Sequence, residues 1–218
     1  MQAVMETIFD ILYLTTVITI GIIMIRKGRN NRQYRVFGIM AVILGAGDSF
    51  HLVPRAVALC TTGLENYTAA LGIGKLVTSI TMTLFYILLY HIWRMRYKVK
   101  DKKYLTVAVY ILAILRIALC LFPQNQWMSA QAPLEWGIYR NIPFAAMGLL
   151  IIILFFQKTR NGKDRPFGCM WLTITLSFAF YIPVVLLADR FPAAGMLMIP
   201  KTCAYVWTVL IGFFDMKN

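Results

Sequence analysis

Apolar residues gather into seven runs along the chain, at 3–25, 36–60, 69–93, 104–122, 137–157, 167–188 and 194–214, separated by short polar segments. Each run is close to the ~20 residues that a helix rising 1.5 Å per residue needs to cross a hydrocarbon core of about 30 Å. Only helices satisfy their own backbone groups in such a core, so the pattern predicts an all-α, polytopic membrane protein with seven transmembrane helices. The intervening segments are too short for a soluble domain, and residues 1–218 read as a single transmembrane domain. The start, MQAVMETIFDILYL, has no basic residue ahead of its apolar run and no small-residue cleavage site after it. It is therefore expected to be the first span rather than a signal peptide.

Polar residues interrupt this pattern most clearly in the stretch RVFGIMAVILGAGDSFHLVPRAVAL at 35–59. Asp48, His51 and Arg55 each cost about 3 kcal/mol to place in hydrocarbon, and residues spaced i, i+3, i+7 share one stripe of a helix. The three side chains are expected to face one neighbour or cavity. Ser49 and His51 stand about 200° apart on that helix, which argues against a nucleophile and its base. Pro54 removes a backbone donor within the span, and Gly45 and Gly47 allow another helix to come close.

Composition agrees with the pattern, since 60% of residues are hydrophobic and 14% are charged. The net charge of +13 invites a nucleic-acid reading, but its distribution points to membrane topology. Basic residues concentrate in loops 26–35, 94–103 and 158–165, the last holding Lys158, Arg160, Lys163 and Arg165. The alternate loops hold mainly Glu65, Glu135, Asp189 and Arg190. The positive-inside rule then places the N-terminus outside and the C-terminus inside a cell membrane, with lipids and no nucleic acid as partners. Cys60, Cys120, Cys169 and Cys203 show no paired spacing and read as small apolar fillers, although Cys60 and Cys120 both fall near outer ends. With His51 and His91 as the histidines of the chain, no metal site and no other cofactor is expected.

A repeat is visible inside the chain. With one gap, Lys27, Arg29, Asn30, Arg35, Phe37, Gly38 and Met40 match Lys158, Arg160, Asn161, Arg165, Phe167, Gly168 and Met170. In the same register His51 falls on Tyr181, and Gly74-Lys75 in span three has its counterpart in Pro200-Lys201 in span seven, each read as a helix breaker followed by a lysine. The expected arrangement is a parallel 3+1+3 repeat, with repeat one over 1–93, a connector helix over 104–122 and repeat two over 137–214.

Under that reading Lys75 and Lys201, and His51 and Tyr181, flank the axis between the halves. Ser79 follows Lys75 and Tyr205 follows Lys201 on the same faces, so Asp48, His51, Arg55, Lys75, Ser79, Tyr181, Lys201 and Tyr205 form the candidate ligand-binding set. Asp48 is the one acid expected among several cations, and uncompensated buried cations call for an anion such as a carboxylate, phosphate or lipid headgroup. Arg116 and Arg140 are expected to snorkel outward to headgroups instead.

Seven spans, an outside N-terminus and a 3+1+3 parallel repeat resemble the SWEET and PQ-loop transporters. Pro54, Pro143 and Pro183 stand in three of the four spans where those proteins carry prolines, while span one has neither proline nor a Pro-Gln pair. The resemblance implies transport by rocking of two halves and carries no residue roles. Lys201 is similar in place to the retinal-binding lysine of microbial rhodopsins, but span three has no acid and Leu197 stands one turn before the lysine, where those proteins carry an aspartate. The function expected is binding, and transport, of a small anionic molecule or lipid headgroup in a basic pocket open to the outer side. The alternatives are a lipid-acting enzyme using Asp48 and His51, and a seven-helix sensor whose short tail would need a partner protein.

Overall fold

The computed structural model describes residues 2–162, 164–187 and 191–217. Lys163, Asp189 and Arg190, which enter the loop charges above, lie outside the described residues. Among the described residues, seven helices are long and apolar enough to cross a membrane, as a multi-pass membrane protein requires. They are α1 (Gln2–Lys27), α2 (Arg32–Cys60), α3 (Thr68–Arg96), α4 (Lys103–Leu121), α5 (Leu134–Thr159), α6 (Met170–Leu187) and α7 (Met198–Lys217).

Two boundaries differ from the sequence reading. Helix α6 starts at Met170 because the preceding chain is turned, with the Asp164 carboxylate accepting from the Phe167 amide at 3.4 Å. Span seven is a turn of 3-10 helix at Pro192–Leu197 followed by α7. Pro200 therefore sits in the first turn of α7, where a missing N–H removes no helical bond, and is not a break deep in the span. Pro54, Pro143 and Pro183 do lie inside α2, α5 and α6.

Each helix packs on the next in sequence, α1 closes the ring against α7, and α3 also touches α5. Small residues bring α1, α2 and α3 together: Gly45 lies against Ile18 and Gly47 against Thr81. At Gly74 a side chain would run into the backbone of Phe50 and His51, so only glycine lets α3 approach α2 there.

Aromatic rings fill the middle of the bundle. Tyr86 meets Phe144 at a centroid distance of 5.0 Å, Phe144 meets Phe178 at 5.0 Å, and Phe85 meets Tyr205 at 5.6 Å. The polar tips are bonded: the Trp93 indole donates to the Leu154 carbonyl at 3.0 Å, and Thr208 donates to Thr173 at 2.8 Å.

Below this layer, at the end carrying the basic loops, Arg96 joins four elements. Its guanidinium bonds Asp164 in the α5–α6 loop at 2.8 Å and Asp215 of α7 at 2.5 Å, and lies 4.4 Å above the Phe167 ring. Tyr34 of α2 donates to Asp215 at 3.0 Å, and Tyr97 donates to Asp164 at 2.9 Å. Burial alone would raise the Asp164 carboxyl, but the bonds from Arg96 and Tyr97 outweigh it and hold the group below its usual value. Burial and then the bond to Asp164 push the Tyr97 phenol up.

Candidate functional site

At the opposite end the helices surround a cavity of about 360 Å³, open to one side and floored by Tyr205, Phe144 and Met82. All seven helices contribute to it. At ~30 Å³ per water it has room for about a dozen solvent molecules or one small organic ligand.

Each residue of the sequence-based set lines this cavity, with different partners from those expected. The Asp48 carboxylate accepts from the Tyr13 hydroxyl of α1 at 2.6 Å. Arg55, expected to be free for a ligand, reaches Glu6 of α1 at 2.9 Å. His51 Nδ1 lies 3.4 Å from the Leu71 carbonyl, and Ser79 donates to the Lys75 carbonyl at 2.8 Å. Lys75 stands exposed at the rim, whereas Lys201 is 8% exposed. The Lys201 ammonium rests 4.8 Å from the Tyr181 ring centre and 5.4 Å from that of Tyr205. Tyr181 donates to Asn141 at 3.0 Å, which fixes its ring under the lysine.

Two arginines overturn their expected role. Arg116 and Arg140 turn inward and line the cavity rather than snorkelling to headgroups. Aromatic faces capture them: the Arg116 guanidinium carbon lies 3.3 Å from the centre of the Phe144 ring, and that of Arg140 lies 4.3 Å from the Trp127 ring. Asn125 anchors Arg140 by accepting from its Nη1 at 2.8 Å, while the Asn125 amide itself donates to the Leu119 and Phe122 carbonyls. Arg116 has no such anchor. It is 2% exposed, and among the described residues its Nε and Nη1 have no hydrogen-bond partner.

The acids were also undercounted from sequence. Glu6 and Asp10 of α1 line the cavity beside Asp48, so Asp48 is not its one carboxylate. The spacing of Glu6, Asp10 and Tyr13 at i, i+4, i+7 puts them on a single helical stripe, a signal present in the sequence. Trp127 and Asn125 carried no comparable signal, because their loop is placed by bonds to the end of α4 and by contacts with Gly72 and Arg140, none of which has a sequence period. The four cysteines are unpaired, and only Cys120 is a buried filler; Cys60, Cys169 and Cys203 are exposed.

No family model matches the chain, and neither does any curated protein or solved structure. The likeness to SWEET and PQ-loop transporters thus rests on the count of seven spanning helices, and the cavity itself carries the functional reading.

Proposed function

We propose that this protein binds a small anion, or the anionic part of a lipid headgroup, in the cavity and moves it across a cell membrane. One observation carries the reading: the buried Arg116 guanidinium, with two nitrogens lacking acceptors, on the wall of a cavity with room for a ligand. Leaving a charged donor unsatisfied costs several kcal/mol, and a carboxylate or phosphate oxygen removes that cost. Arg140 and Lys201 line the same space, so an entering anion meets three cations held against aromatic rings.

Transport rests on the repeat. Phe37 and Phe167, matched in the duplication, meet at 6.2 Å between ring centres, and the matched pairs Lys75 with Lys201 and His51 with Tyr181 line one cavity. Both facts support two related triplets, α1–α3 and α5–α7, about a common axis with α4 between them. By the positive-inside rule the basic-loop end is cytoplasmic and the cavity faces outward. Rocking of the triplets would then expose it to the other side. The enzyme alternative gains no geometry, since Asp48 and His51 bond to Tyr13 and Leu71 rather than to each other.

Binding of inorganic phosphate and of acetate to the purified protein tests the reading by calorimetry. Arg116→Gln and Lys201→Met are each expected to weaken the anion that binds by at least tenfold. Unchanged affinity in both variants would end the proposal. Mass analysis of co-purifying lipid separates a headgroup from a free anion.

A further inference from the structure

The cavity is charged unevenly, and this says more about the ligand than the excess of cations does. Its α1–α2 wall holds three carboxylates, Glu6, Asp10 and Asp48, against one arginine, Arg55, which is already paired with Glu6. Its α4–α5 wall holds Arg116 and Arg140 and, among the described residues, no acid. Helix α1 packs on α2 and α7, and α4 on α3 and α5, so the two walls stand on opposite sides of the space. Lys201 lies between them, with Asp48 and Arg116 as its charged neighbours.

Both walls are left incomplete. Asp10 has Arg55, Glu6 and Asp48 as charged neighbours, yet among the described residues its carboxylate makes no hydrogen bond or ion pair. Arg116, on the far side, lacks acceptors for two of its nitrogens. A simple anion would satisfy Arg116 and leave Asp10 facing a second negative charge. A simple cation would do the reverse.

We infer that the ligand is a zwitterion, with its phosphate or carboxylate on Arg116 and Arg140 and its ammonium on Asp10 and Asp48. This rests on the anion-binding reading above and specifies the other end of the same ligand. The cavity walls are mainly apolar, with Phe9, Leu52, Met82 and Met198 among them, so a short apolar body between or beside the charges is accommodated. Ethanolamine phosphate, free or as a lipid headgroup, and an α-amino acid with an aliphatic side chain both have this chemistry.

Matched pairs of ligands test it. Phosphoethanolamine is compared with ethyl phosphate, and leucine with 4-methylpentanoate, by calorimetry on the full-length protein in detergent. In at least one pair the zwitterion should bind ten times tighter or more than its partner lacking the ammonium. Asp10→Asn should erase that preference while leaving the simple anion's affinity unchanged or improved. Asp48→Asn, which keeps an acceptor for Tyr13, provides a second variant should the first not fold. If the simple anions bind as tightly as the zwitterions in the native protein, or if Asp10→Asn and Asp48→Asn weaken both members of a pair alike, the inference is wrong and the anion site stands. If none of the four compounds binds, both readings fail. The pair that shows the preference distinguishes a headgroup from an amino acid.

Discussion

Arg96 and Arg116 occupy opposite ends of one bundle, and each lies over a phenylalanine ring. Arg96 has two aspartates, two supporting tyrosines and a loop folded around it, so its charge is answered within the chain. Arg116 is more deeply buried and, among the described residues, has no carboxylate partner. A buried charge that is fully bonded is structural, tying helix ends together. One left with open donors on a cavity wall is destabilising in the empty protein, and a molecule brought from outside can complete it. The same residue type thus serves the fold at one end and a ligand at the other.

The contrast can be broken most forcefully at Arg96. Arg96→Met strands Asp164 and Asp215, and stability in detergent should fall by about 3 kcal/mol, seen as a melting point lower by roughly 10 °C. A melting point within a degree or two of the native one would show that the network is ornamental. Next in size, Tyr13→Phe removes the hydroxyl bonded to Asp48 and should cost about 2 kcal/mol in the same assay, with ring packing kept.

Arg116→Met should have the opposite sign. Removing a buried charge with open donors should stabilise the anion-free protein by about 1 kcal/mol while abolishing anion binding, measured by melting and calorimetry together. A loss of stability comparable to that of Arg96→Met would erase the distinction between the two sites.

The smallest effect concerns pH. The Asp164 carboxyl is held below its ordinary value of 3.8 by Arg96 and Tyr97, so its contribution is fully present above that value and is lost as pH falls through its lower folded value. Melting points should therefore fall more steeply below pH 4 in the native protein than in Asp164→Asn.

Seven helices were legible because hydrocarbon allows a chain one local solution, and an apolar run of spanning length announces it. The stripe of Asp48, His51 and Arg55 was legible for a similar reason: helical periodicity converts spacing into a shared face. Lys75 and Lys201, in spans three and seven, line one cavity. Partners were not legible in this way. Arg55 could be placed on a face, but the finding that Glu6 answers it depended on how α1 lies against α2.

The sequence by itself determined helix number, the approximate limits of each span, and which polar residues must turn away from lipid, because these follow from local periodicity and the cost of burying charge. Tertiary structure alone decided the direction taken by Arg116 and Arg140. An arginine near a helix end can reach headgroups or the bundle interior with equal ease along its own chain. Phe144 and Trp127, brought from α5 and from the loop after α4, supply the ring faces that turn both inward. Only the packed bundle sets three carboxylates on one wall of the cavity and two arginines on the other, since charge complementarity between helices depends on which faces meet.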